Sequence, residues 1–344
     1  MAATETTSLG RRPLRVSAFT GGAAVASARF RVRQYIAPLA GFGISVRERW
    51  PGLGAYPPHN KALRPAWLIG TLAQRLPQLA VGWQSDVVLL QREMVSTLPT
   101  LEGWTRRPRL VDIDDSVHLY RGGLTARWLA GLADLVVVGN CWLAEIWRRW
   151  NKAVEILPTA VDTEAYRVAP LPERRTIGWI GTAGNLRYLA EIAPALARVV
   201  SRFPEVTLAV CCDRPPVLPG VPVRYVPWSE AAEAEFLASI TIGVMPLEDS
   251  PWERGKCSLK MLQYMAAGRP CVVSPVGMNA GLLRQAEFGL AATTTEEWTE
   301  ALSSLIADRD TAVRMGAAGR ALAAERYSVA TLAPRLAELL RRLG

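Results

Sequence analysis

Histidine is nearly absent from this 344-residue chain, which has two, and the five cysteines are odd in number and lack zinc-ligand spacing. No His/Cys metal site is expected. The vicinal Cys211-Cys212 has no partner pair, so Cys141, Cys211, Cys212, Cys257 and Cys271 fit a reducing compartment, with Cys257 read as a small buried hydrophobe. Long apolar runs are lacking too. The most apolar stretch, 129–147, is interrupted by Asp134, Asn140 and Glu145, which are costly at a bilayer centre, so it reads as strand and helix in a core. Residues 1–12 are polar with no apolar stretch behind their charges, and a secretory leader is not expected. Basic runs interleaved with aromatics are missing as well. The net charge of +9 therefore does not point to nucleic acid, while a weak peripheral attraction to anionic lipid stays open.

Lysine is the other scarce residue: only four of the 40 basic side chains are lysine, and Lys256 and Lys260 fall within five residues of each other. A compact ammonium is wanted there, unless the two cluster by chance.

What is present is a globular composition, 50% hydrophobic and 21% charged, on a length that suits two α/β domains. Apolar runs without alternation, the mark of strands covered on both faces, recur at 14–19, 44–46, 86–90, 109–113, 135–138 and 154–157. Helical spacing separates them at 27–40, 62–79, 125–133 and 141–150. Gly21-Gly22 closes the first strand at the carboxyl end where open α/β sheets bind ligands, or is a simple turn. A polar stretch with three prolines, 158–172, reads as a linker. A second series then runs through strands 176–180, 206–211, 223–226, 242–245 and 271–274 and helices 186–202, 231–239 and 259–267, with a last helix at 331–343.

The most informative segment runs from Gly255 to Gly277: a loop, a helix from about Ser258, a Gly-Arg-Pro stop, a buried strand and a glycine loop holding Gly277 and Asn279. Ser258 is expected to cap the helix, whose amino end with Lys256 and Lys260 suits a diphosphate. Within it, Gln263-Tyr-Met-Ala-Ala-Gly-Arg-Pro-Cys-Val-Val273 resembles the Glu-Ala-Met-Ala-x-Gly-x-Pro-Val-Val helix of retaining family 4 glycosyltransferases. Ile177-Gly-Trp-Ile-Gly-Thr182 and Ile156-Leu-Pro-Thr-Ala-Val-Asp162 are similar to that family's donor-domain opening and linker. Ser27-Ala-Arg-Phe-Arg31, Gln91-Arg-Glu93 and Val111-Asp-Ile-Asp-Asp115 resemble a bacterial subgroup, and the likeness covers residues 14 to 330.

The resemblance implies an α/β GT-B protein, two Rossmann-like domains facing each other across a cleft: an acceptor domain at 13–157, a linker at 158–172, a nucleotide-sugar domain at 173–326, and a helix at 327–344 crossing back. The donor would meet Gly21, Gly22, Gly181, Thr182, Arg187, Trp228, Lys256, Lys260, Gln263, Gly277 and Asn279, and the acceptor Arg31, Gln91, Arg92 and Glu93. Trp252 is a second candidate for stacking on a sugar or base. No cofactor or metal is implied, only a nucleoside diphosphate sugar and a carbohydrate or lipid-linked acceptor, in the cytoplasm or at the inner membrane face.

Several positions depart from the family pattern. Its two glutamates are replaced by Gly255 and Gln263, its arginine and lysine by Thr182 and Arg187. Gln263 can still bond a ribose diol through its amide, Asp249 or Glu253 stands in for the missing glutamate, and Lys256 and Lys260 supply the displaced charge. Asp112, Asp114 and Asp115 admit three readings: a polar cleft, helix capping, or the metal-binding Asp-x-Asp of single-domain glycosyltransferases. Asp114 sits where relatives often carry a histidine, and His118, four residues on, is the substitute candidate alongside a merely satisfied role. Two further functions compete, a nucleotide-sugar epimerase and a silent nucleotide-sugar-binding subunit.

Overall fold

The computed structural model describes residues 12–344; the reading of 1–12 as free of a leader lies, but for Arg12, outside them. Two six-stranded sheets, all parallel, carry the chain. The first has the order β2-β1-β3-β4-β5-β6, with β1 Leu14–Phe19, β2 Ile44–Arg49, β3 Val87–Gln91, β4 Arg109–Ile113, β5 Leu135–Val138 and β6 Val154–Ile156. The second runs β12-β11-β10-β7-β8-β9, with β7 Thr176–Ile180, β8 Thr207–Cys212, β9 Val223–Pro227, β10 Ile242–Met245, β11 Cys271–Val273 and β12 Gly289–Ala291. Strands β3, β4, β5, β7, β10 and β11 are buried along their whole length, which accounts for their largely apolar sequences, with Arg109 and Asp112 of β4 as buried charged exceptions.

Helices cover both faces of each sheet. In the first half these are α1 (Ala26–Arg31), α2 (Ile36–Gly41), α3 (Arg64–Gly82), α4 (Leu124–Leu132) and α5 (Cys141–Trp147). In the second they are α6 (Leu186–Glu191), α7 (Ala193–Arg202), α8 (Glu230–Ala238), the short α9 (Pro251–Arg254), α10 (Leu259–Ala266), α11 (Met278–Leu283), α12 (Thr295–Ala307) and α13 (Arg309–Arg326). The last helix, α14 (Val329–Arg341), buries Leu332, Leu336 and Leu340 in one cluster with Val16, Leu39 and Ile44 of the first half.

Two helices expected as single pieces are broken. The 27–40 helix kinks at Val32 (φ −128°, ψ −61°), where the chain turns Arg31 into the interior. The 186–202 helix stops at Ile192 because Pro194 supplies no N–H and restarts a new first turn.

The chain passes between the halves twice, through 158–175 and again at 326–329, and the crossings are paired: Val161 N–H donates to Tyr327 O at 2.8 Å and Val329 N–H to Val161 O at 3.1 Å. The 158–172 segment is no loose polar tether. Thr159, Ala160, Val161 and Tyr166 are buried in it.

Candidate active site in the cleft between the sheets

In each sheet the strand order reverses, between β1 and β3 in the first and between β7 and β10 in the second, leaving a crevice outside the carboxyl ends. Those crevices face each other and share one cavity of about 400 Å³. Its wall from the first half comes from residues 23–27, Arg29 and Phe30 after β1, Arg92 after β3, and Asp114 and Asp115 after β4. The second half adds Gly181 and Thr182 after β7, Asp213 after β8, Trp228 after β9, and the start of α10 with Lys256, Lys260 and Gln263.

The floor is pinned across the halves. Asn140 caps α5 by accepting from Leu143 N–H at 2.9 Å, and its amide donates to the carbonyls of Gly255 (3.0 Å) and Lys256 (3.1 Å). Ser116 Oγ donates to Pro251 O at 2.8 Å, and the buried Cys257 thiol to Asp114 O at 3.1 Å. This fixes the α10 start against the β4 end.

Both lysines reach the cleft. Lys256 Nζ donates to Asn185 Oδ1 at 3.2 Å and lies 4.5 Å from the centre of the Tyr188 ring. Lys260 Nζ lies 5.6 Å from the Trp179 ring centre, and its stem crosses Gly181, where a Cβ would come within 2.7 Å of Lys260 Cε. Glycine there leaves room for the stem. Burial, then Lys256, pulls the Lys260 ammonium down to about 8, and burial also lowers Lys256. On the facing wall burial, then Asp115, pushes Asp114 up to about 7, and burial raises Asp115 although Arg92 and both lysines oppose it. Gln91 Nε2 donates to Asp114 at 3.5 Å, and Arg92 pairs with Asp115 at 3.7 Å and with Glu93 at 3.6 Å.

At the other end Gln263 is buried and its Nε2 donates to the Tyr166 hydroxyl at 3.1 Å, which donates to Glu233 Oε1 at 2.6 Å. Trp228 Nε1 donates to the same carboxylate at 3.4 Å, and Arg29 of α1 reaches it from the first half at 3.1 Å. Glu233, Tyr166 and Arg29 were missed as site residues by the sequence reading, while Asp115 lines the cavity beside Asp114, in line with the polar-cleft reading of the three aspartates. The signal available for Glu233 was Ser229 as a helix cap, which fixes the first turn of α8 at the β9 end.

Several expectations need correction. Ser258 does not cap α10: it sits at φ +53°, and its hydroxyl donates to Asn279 Oδ1 at 2.6 Å. Asn279, buried, holds that turn by donating to Ser274 O, and is not among the residues lining the cavity. Gly277 (φ +54°) lies against Arg254, whose carbonyl a Cβ would approach to 2.8 Å, and Gly21 and Gly22 back the β1 loop without lining the cavity. Asp249 pairs with Arg254 outside the cavity. Glu253 is buried behind Lys256, bonded by Ser250 and Tyr188; burial alone would raise it, and those bonds leave it below its ordinary value. Arg187 is exposed and pairs with Glu253 at 3.3 Å. Trp252 stacks edge-on with Tyr120.

In the first half Arg31 is a buried partner of Asp112 beneath the cleft, which leaves Asp112 unable to join Asp114 around an ion. Gln91 and Glu93 support Asp114 and Arg92 from outside the cavity lining. Half-buried His118 does not line the cavity, and burial, then Arg149, lowers its pKa.

Comparison with solved structures matches this two-sheet architecture over nearly the whole chain. HepE of Anabaena, in complex with UDP and glucose, superposes with a TM-score of 0.71 at 14% identity, over 96% of this chain and 100% of HepE. Its fold is GT-B. Further GT-B likenesses are the sucrose-phosphate synthase of Thermosynechococcus elongatus (TM-score 0.71, 15% identity, 96% and 98% of the chains) and WaaG, a glycosyltransferase involved in lipopolysaccharide biosynthesis (0.68, 13%, 94% and 99%). Residues 174–308, most of the second half of this GT-B chain, match the family model described as glycosyl transferases group 1. No curated protein matches the chain.

Proposed function

We propose that the chain is a retaining, metal-independent hexosyltransferase of the family 4 type, moving a sugar from a nucleoside diphosphate sugar to a carbohydrate or lipid-linked acceptor in polysaccharide biosynthesis. The carrying observation is the convergence of Lys256 and Lys260 on the amino end of α10, inside the cavity that joins the two crevices. A diphosphate there meets two ammonium groups and unbonded helix amides, which stabilise the charge that develops as the anomeric C–O bond to phosphate breaks. The acceptor hydroxyl takes that place at the anomeric carbon, its proton leaving to the departing phosphate or to ionised Asp114. The group 1 match over 174–308 and the HepE structure with UDP and glucose support this reading. Five unpaired cysteines support a reducing, cytoplasmic setting, and no helix among the described residues is long and apolar enough to cross a membrane.

A panel of nucleoside diphosphate sugars tests the proposal. Slow release of nucleoside diphosphate without acceptor, lost in Lys260→Ala and kept under chelator, is the expected result. Sugar interconversion would install the epimerase in its place, binding without turnover the silent subunit, and loss under chelator with return on manganese a metal-dependent enzyme.

A further inference from the structure

Strand β2 is the edge of the first sheet, and its alternate side chains Ser45, Arg47 and Arg49 stand on one face beside Arg15 and Ser17 of β1, in the register Arg15 to Ser45 and Ser17 to Arg47. With Gln84 and Ser85, just past α3, they line a second cavity of about 150 Å³. None of these residues lines the interdomain cavity.

The charge balance of this pocket is one-sided. Arg15 shares Asp86 with Arg12, at 3.4 and 2.5 Å. Arg49 donates through Nε to Ser17 Oγ at 3.3 Å, and among the described residues neither Arg47 nor Arg49 forms an ion pair. The acid between them, Glu48, points to the opposite face and is held by Arg33 at 2.9 Å. Like charges two apart on one face repel, and burial together with Arg47 draws the Arg49 guanidinium below its ordinary range. An oxyanion would relieve both costs: guanidinium forks bind phosphate through paired N–H groups. Val81 on the pocket's rim is 40% exposed, and Trp83 and Trp104, which precede β3 and β4 at the amino ends of the strands, are 58% and 63% exposed and joined by a bond from Trp83 Nε1 to Trp104 O at 3.0 Å. Exposed indoles beside cations are the composition of a surface that meets a bilayer interface.

We propose that the Arg15, Arg47 and Arg49 cradle at the β2 edge is a second anion site, which takes a phosphate group independently of the cleft. The apolar rim favours an anionic phospholipid headgroup as its source over a soluble phosphate.

The chain carrying Lys256→Ala and Lys260→Ala, which removes both cleft ammonium groups, is the test background. It is sedimented with phosphatidylcholine vesicles with and without phosphatidylglycerol, and titrated with inorganic phosphate by calorimetry. Binding to the phosphatidylglycerol vesicles that falls at least tenfold on adding Arg47→Gln and Arg49→Gln is the expected outcome. Phosphate binding lost in the same variant, with no vesicle preference, would keep the cradle and make its ligand soluble. Unchanged binding in the variant, or no binding of either probe by its parent, overturns the site. Should the double substitution fail to fold, exposed Arg47→Gln alone carries the same comparison.

Discussion

Arg31 and Asp112 face each other as a buried ion pair under the cleft: Arg31 Nε lies 3.0 Å from Oδ2, Nη2 lies 2.5 Å from Oδ1, and Nη1 donates to Leu157 O at 2.8 Å. Burial opposes the guanidinium charge, and Asp112 outweighs it, so Arg31 stays firmly protonated. Removing one partner strands the other charge in the core. Asp112→Asn or Arg31→Met is expected to cost about 3–5 kcal/mol, read as a shift in denaturant midpoint, with donor affinity retained in whatever fraction folds.

Lys260 gives a pH signature. Its folded value near 8 lies below its ordinary 10.5, so between those values the unfolded chain holds the proton that the folded chain has lost. Stability of the empty protein should therefore rise with pH from 8 toward 10.5. Nucleoside diphosphate affinity should move oppositely, falling as pH passes 8 and the ammonium discharges. Calorimetric titration at several pH values checks both directions, and Lys260→Ala should weaken binding about tenfold or more, on the order of 1.4 kcal/mol, and remove the pH dependence.

Asp114 behaves in the complementary way. Its value is raised from 3.8 to about 7, so the folded chain binds the extra proton between them, and stability conferred at low pH is lost as pH rises through 7. Asp114→Asn should raise the melting temperature at pH 8 and leave it little changed at pH 4. If Asp114 takes the acceptor proton, turnover climbs through pH 7 in the parent and is flat in the variant.

Gln263 faces a tyrosine whose proton is already given to Glu233. Only an N–H donor satisfies the Tyr166 oxygen from that side. Gln263→Glu, which would restore the family's acid, should therefore weaken the network and the donor site together, and Gln263→Leu should also lose donor affinity. A Gln263→Glu protein that binds nucleotide more tightly than the parent would show that the amide is not needed.

Legibility followed the range of the forces involved. Strands β1, β4, β5, β7 and β10 were readable to the residue because their apolar cores stand between turn and polar segments, and β5 and β10, covered on both faces, have no charged residue at all. The two lysines were readable as an exception in an arginine-rich chain. What failed depended on distant partners. Ser258 follows the rule for a helix cap, yet Asn279, 21 positions on, takes its hydroxyl. Glu253 lies near the right sequence position for a missing acid but is consumed by Tyr188 and Ser250, whereas Glu233, the fourth residue of α8 in an ordinary helix pattern, lines the cavity. Arg31 was assigned to the acceptor because nothing local announces Asp112, 81 residues away.

The paired crossings at Val161 and Ser328 act as the spine of a book. Two adjoining strands of backbone resist sliding or twisting apart more than bending about one line, so any opening of the cleft is expected to be a rotation that parts Arg29 from Glu233 across the cavity. A single proteolytic nick in the 163–175 stretch would cut one stitch only: the covers stay bound through 326–329, with α14 still seated in the first half.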